Sequence, residues 1–177
     1  DPATGPFAWH PDLPIEELEK RLNAAFKVVP YTAGINNHMG SRMTSQQPAM
    51  AWLMADLQRR HKLFVDSRTS AQTVAAAEAQ KIGLASVSRD VFLDDEPTEA
   101  AIFTQLQTAI GLARKQGSAV MIGHPYPQTL AVLERELPKL KAQGIDWIDI
   151  KQMISVRGNR ATAAHGKDGQ YRLPTAR

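Results

Sequence analysis

No cysteine occurs among the 177 residues, which excludes disulfides and thiolate metal centres within this chain. Any metal held by these residues must take His, Asp or Glu ligands. The lack of cysteine suits an oxidising compartment and a reducing one equally. No apolar run approaches the roughly 18 residues of a membrane-spanning helix. The opening stretch, DPATGPFAWHPDLP, has neither the basic start nor the apolar core of a secretory leader. Net charge is also scarce outside one region. The formal charge is +3, but residues 157–177 hold five basic residues and one acid, leaving 16 basic and 17 acidic residues elsewhere. A body without basic excess carries no electrostatic footprint for nucleic acid. The excess belongs to a polar C-terminal tail, residues 156–177, expected to be disordered. The 43% of hydrophobic residues suffices for one globular domain with a substantial core, residues 1–155.

Five helical patterns alternate with short apolar segments. Ile15, Leu18, Leu22, Phe26 and Val29 recur at helical spacing after Pro14, and Pro30 stops them. A second helix is expected over Pro48–Arg60, with Met50, Leu53, Met54 and Leu57 on one face and Thr44 or Ser45 as cap. A third covers Ala71–Lys81 and stops at Gly83. In the fourth, Ile102, Phe103, Leu106, Ala109, Ile110 and Ala113 form a stripe that ends at Gly117. The fifth runs from Pro127 to Leu140 with a bend at Pro138. Between them lie expected strands at Thr32–Asn37, Leu63–Asp66, Ser86–Val91, Ala119–Gly123 and Trp147–Ile150. Several are apolar throughout, as strands covered on both faces are, and the alternation predicts a parallel sheet. Five strands fall short of the roughly eight of a closed parallel barrel.

Chemistry in parallel α/β folds gathers where strands end. Here those ends carry Asn36-Asn37-His38, Asp66-Ser67-Arg68, Arg89-Asp90 and Gly123-His124-Pro125. His38, among small polar neighbours, is either a metal or substrate ligand or a structural hydrogen-bonding group. His124 is either a general acid or oxyanion stabiliser, or a loop residue bonded to backbone. Asp66 directly follows Leu63-Phe64-Val65, so its carboxylate at the mouth of a buried strand needs a partner or a metal. Its alternative role is to cap the loop before the next helix. Arg89 and Asp90 are candidate catalytic residues as an orienting ion pair, or else an ordinary salt bridge. Asn36, Asn37, Ser67 and Arg68 are candidate substrate contacts, Arg68 having pairing with Asp66 as its alternative. Asp94-Asp95-Glu96 is either a cation-holding run or, as the better reading, a solvated loop before the fourth helix, where acids favour the helix dipole. His10, His61 and His165 read as surface residues.

The strings Gly34-Ile35-Asn36-Asn37-His38-Met39-Gly40-Ser41, Phe64-Val65-Asp66-Ser67-Arg68-Thr69, Arg89-Asp90-Val91-Phe92-Leu93-Asp94-Asp95 and Ile122-Gly123-His124-Pro125 together resemble the divergent polysaccharide deacetylases. The resemblance extends from about Leu13 to Ile154 and covers motif order and spacing. It implies a NodB-like distorted (β/α) barrel with parallel strands, lacking its N-terminal strands in this chain, and a periplasmic location. It further implies a metal-dependent hydrolase that removes acetyl groups from amino sugars of an acetylated polysaccharide or peptidoglycan-like substrate. The implied metal is divalent, commonly zinc, bound by an aspartate and two histidines; a carboxylate acts as base and a late histidine protonates the leaving amine. His124 resembles that late histidine. His38 stands where the family carries mid-barrel site residues and is the expected metal ligand, and Asp66 resembles the carboxylate of the next strand end. The family's strand with paired aspartates and its His-Leu-Pro-Met-like motif do not occur here. The chain is therefore expected to start after them and to lack some ligands. A competing expectation is an envelope barrel that binds glycan or protein without turnover; a third is another metal-dependent hydrolase on the same scaffold.

Overall fold

The computed structural model describes residues 7–10, 12–38 and 41–165. Within them the chain divides into two compact units, one through Arg89 and one from Asp90. Both are built from parallel strands and helices, so the fold is mixed α/β.

The first unit opens with α1 (Ile15–Val28), which starts after Pro14 in extended conformation and carries Glu16 and Glu17 in its first turn. Acids at that end complement the helix dipole. Strand β1 (Gly34–Asn36) leads through a short helix α2 (Ser41–Thr44) into α3 (Gln47–Arg59), which has Pro48 in its first turn. Strand β2 (Leu63–Asp66), helix α4 (Ala75–Lys81) and strand β3 (Ser86–Ser88) complete it. The three strands are parallel in the order β1-β2-β3. Gly34 faces Leu63 in that ladder, and a Cβ at Gly34 would lie 2.1 Å from the Leu63 carbonyl oxygen, so no side chain fits there. The core joins Leu18 and Leu22 of α1 to Met50, Leu53, Met54 and Leu57 of α3 and to Phe64 of β2. Each such fully buried side chain stabilises the fold by about 1.5–3 kcal/mol.

The second unit contains β4 (Val91–Phe92), α5 (Glu99–Gln116), β5 (Met121–Ile122), α6 (Pro127–Leu140), a 3₁₀ turn (Lys141–Gln143) and α7 (Ile150–His165). Strands β4 and β5 are parallel, with Val91 opposite Met121 and Phe92 opposite Ile122. The Thr98 hydroxyl caps α5 by accepting the Ala101 N–H at 3.3 Å, and Gly117 ends it in left-handed conformation, φ 80°. Ile102, Leu106 and Ile110 of α5 pack on Val132 and Leu140 of α6 and on Leu93.

Several expectations are corrected. The strand expected over Ser86–Val91 is two strands in two sheets. The Arg89 N–H bonds the Asp66 carbonyl, whereas the Asp90 and Val91 N–H groups both turn to the Val120 carbonyl. The expected strand Trp147–Ile150 is absent. Trp147 is 59% exposed, and a reciprocal cap starts α7 instead: Asp149 Oδ1 accepts the Gln152 N–H at 2.9 Å, and Gln152 Oε1 accepts the Asp149 N–H at 3.1 Å. Helix α7 continues to His165, past residue 156 where the disordered tail was expected; residues 166–177 lie outside the described residues. Neither Thr44 nor Ser45 caps α3; Gln46 stands there without a side-chain cap bond, and Ser45 donates to the Arg42 carbonyl. Among the described residues the strands form a three-stranded and a two-stranded sheet and close no barrel.

Candidate functional site

The carboxyl ends of β1, β2 and β3 bring six of the expected site residues into one hydrogen-bonded group. Asn36 Nδ2 donates to Ser67 Oγ at 3.1 Å, and Asn37 Oδ1 accepts the Ser67 N–H at 2.8 Å. Asp66 is 1% exposed; its Oδ1 accepts the Arg68 N–H at 2.8 Å and its Oδ2 the Thr73 hydroxyl at 3.2 Å. Thr73 Oγ1 in turn accepts the Ala75 N–H, so the carboxylate organises the loop that begins α4. Arg68 turns the chain with φ 50° and is exposed. Arg89 holds that turn from outside, its Nε donating to the Ser67 carbonyl at 2.6 Å and its Nη2 to the Arg68 carbonyl at 3.0 Å. His38 follows at the exposed rim; Met39 and Gly40 lie outside the described residues.

Asn36, Asn37 and His38 also line the polar end of a cavity of about 350 Å³, whose apolar wall includes Trp9, Leu22, Ile35, Met50 and Phe64. Asn37 Nδ2 is a buried donor without a hydrogen-bond partner. Leaving such a group unpaired costs about 1–3 kcal/mol.

In the second unit the site lies at the carboxyl ends of β4 and β5. Asp94 follows Leu93 directly out of β4 and is 3% exposed. Its Oδ1 stands 2.9 Å from His124 Nδ1, and its Oδ2 accepts the His124 N–H at 2.6 Å and the Thr129 hydroxyl at 2.8 Å. Burial pushes the Asp94 carboxyl up, but hydrogen bonds from the His124 N–H, the His124 ring and Thr129, with the charge of His124, outweigh it and hold the carboxyl below its ordinary pKa. Gly123 leaves room for the close approach: a Cβ there would meet Asp94 Oδ2 at 3.1 Å and Leu93 Cβ at 3.3 Å, both tight contacts. The imidazole also faces the rings of Phe92 at 5.8 Å and Tyr126 at 5.0 Å. With Asp94 ionised, the His124 Nδ1 that faces it is the donor of that hydrogen bond.

Asp90 stands at the amino end of β4, the end opposite Asp94. Its Oδ2 accepts the Val120 N–H at 2.7 Å and pairs with Arg157, whose Nε donates to Ser118 Oγ at 3.2 Å. Its salt bridge thus ties α7 to the strand entrances. Asp94 is a candidate site residue that the sequence leaves in a run with Asp95 and Glu96, which are exposed. The usable signal was an acid directly after an apolar strand, the pattern already recognised in Phe64-Val65-Asp66. Among the described residues no three His, Asp or Glu side chains come together as a metal centre would need.

A family model described as divergent polysaccharide deacetylase matches residues 1–154. The chain is similar to the uncharacterized protein YibQ of Escherichia coli strain K12, with 45% identity over 125 residues, 71% of this chain and 39% of that relative. It is also similar to an uncharacterized protein of Haemophilus influenzae, 42% identical over 131 residues, 74% of this chain and 47% of that relative. The chain thus spans less than half the length of either relative. Among solved structures, uncharacterized protein ATU2773 from Agrobacterium tumefaciens C58 superposes with a TM-score of 0.82 and 26% identity, over 84% of this chain and 61% of that one.

Proposed function

This chain belongs to the divergent polysaccharide deacetylase family, and from that premise we propose that it serves a hydrolase acting on N-acetylated amino sugars of the cell envelope, in the periplasm, with His124 moving the proton. The observation that carries the reading is the buried Asp94 bound through both oxygens to His124. Hydrolysis of an acetamide forms a bond from water to the acetyl carbon and breaks the C–N bond, and the departing amine must take up a proton. A histidine held by a carboxylate on Nδ1 is built to deliver that proton from Nε2, because the carboxylate stabilises the imidazolium and fixes the ring's orientation. General acid catalysis of this kind contributes about 10²–10⁴-fold. Taken by itself, the first unit offers Asn36, Asn37 and Ser67 as candidate glycan contacts at its own strand-end loop, with the unpaired Asn37 amide as donor. Asp66 and Arg89 keep that loop in shape. The distorted barrel that the resemblance implies belongs to the same proposal; parallel strands with polar residues at their carboxyl ends support it. The described residues do not by themselves fit the zinc centre that the resemblance implies, so no step is routed through a metal.

The test is acetate release from a panel of N-acetylated glycans, with His124→Gln beside the wild type. A loss of about 10²–10⁴-fold in the variant, assayed well below its melting temperature, is the expected result. Folded wild-type protein that releases no acetate from any of them removes the hydrolase reading. The strand-end residues of the first unit spend their hydrogen bonds on one another, which speaks against turnover there, and a glycan-binding module is the competing reading. A binding module would retain glycan affinity and its cellular role in His124→Gln.

A further inference from the structure

We propose that Tyr126 is the platform on which a pyranose ring of the glycan stacks, directly beside His124. The proposal rests on the deacetylase reading and deepens it by assigning the contact that seats the sugar ring. The Tyr126 ring lies 5.0 Å from the His124 ring with 26° between their planes, and the residue is 41% exposed. Leu130, one turn into α6, is also exposed, at 48%.

The backbone holds this aromatic in place. Pro125 and Pro127 flank it. A residue before proline is confined to extended conformations, and Tyr126 sits there with φ −71° and ψ 147°. Its carbonyl accepts the Leu130 N–H at 3.0 Å, which locks it to the first turn of α6. A residue whose backbone is already fixed loses less conformational freedom when a ligand packs on it. The chemistry of a pyranose fits such a surface. One face of the sugar presents C–H groups, which are apolar and slightly positive, and the face of an aromatic ring carries the complementary negative charge. The hydroxyl groups around the sugar's rim stay in water.

Calorimetric binding of a soluble N-acetylglucosamine oligomer to the full chain tests this, with wild type, Tyr126→Phe, Tyr126→Ala and His124→Gln measured alongside acetate release. Tyr126→Ala is expected to weaken binding about tenfold and to raise KM by a similar factor, a larger change than in kcat. Tyr126→Phe keeps the ring and is expected to keep the binding. Equal loss in Tyr126→Phe and Tyr126→Ala overturns the platform, because it assigns the contact to the hydroxyl. A fall in kcat at constant KM in Tyr126→Ala overturns it too, because the residue then acts through His124. Wild-type protein that binds no oligomer also overturns it. Failure of the hydrolase reading looks different: the oligomer binds wild type and His124→Gln alike, depends on the Tyr126 ring, and no acetate appears. In that case the platform stands and the hydrolysis falls.

Discussion

At the scale of the residue, Asp94 is the group on which most depends. A carboxylate at 3% exposure is stable in its charged form because the His124 N–H, the His124 ring and the Thr129 hydroxyl all converge on it. Its folded pKa is depressed, so the stability it contributes is complete above the ordinary aspartate value and lost as pH falls through the folded one. Urea unfolding should therefore show an acid limb beginning below about pH 4, the unfolded aspartate value. Asp94→Asn should cost about 1–3 kcal/mol at pH 7 and flatten that limb. An acid limb identical in wild type and variant would show that Asp94 is not the titrating group. The two partners were unequally legible in the sequence. His124 stands out because Gly123 and Pro125 bracket it after an apolar strand. Asp94 did not, because the neighbouring Asp95 and Glu96 suggested a solvated run, and only pairing across about 30 positions removes one member of that run from water.

At the scale of the element, the ladder between β1 and β2 depends on a position with no side chain. A methyl at Gly34 would sit 2.1 Å from the Leu63 carbonyl oxygen, a backbone atom fixed by the sheet itself. Gly34→Ala should cost about 1–3 kcal/mol or more, lowering the melting temperature by roughly 2–4 °C for each kcal/mol. Gly111, inside α5, is the contrasting case: a Cβ there meets nothing within 4 Å. Gly111→Ala should stabilise by about 0.5–1 kcal/mol through helix propensity. Differential scanning calorimetry of the two variants checks both signs, and a neutral Gly34→Ala would mean that the two strands do not pair in this register. The elements that could be read in advance are those with local signals. Strand β2 and helix α6 have the bounds their patterns predict, because an apolar run and a proline start are encoded in adjacent residues. The break between β3 and β4 was illegible, since it arises when Asp90 and Val91 take a hydrogen-bond partner 29–30 positions away. Trp147-Ile148-Asp149-Ile150 misled because its apolar alternation resembles a strand, while the cap between Asp149 and Gln152 makes it a helix start.

At the scale of the molecule, parallel α/β alternation follows from local periodicity, whereas barrel closure depends on strand neighbours that no local pattern specifies. The same distinction governs how stability is held. Two hydrophobic clusters, one around Leu57 and Phe64 and one around Leu106 and Val132, supply apolar burial in their own units. The acids at the strand ends are engaged by protein groups: Asp66 by Arg68 and Thr73, Asp90 by Val120 and Arg157, Asp94 by His124 and Thr129. Those carboxylates are committed to protein partners, and among the described residues no three His, Asp or Glu side chains gather. A structural zinc contributes on the order of 10 kcal/mol, which at roughly 2–4 °C for each kcal/mol would move the melting temperature by tens of degrees when removed. Exhaustive dialysis of the chain against a chelator should instead leave the melting temperature unchanged. A large drop, restored by added zinc and abolished in His38→Ala, would mean that His38 is joined by donors not gathered among the described residues, and the metal would then belong to the fold as well as to the chemistry.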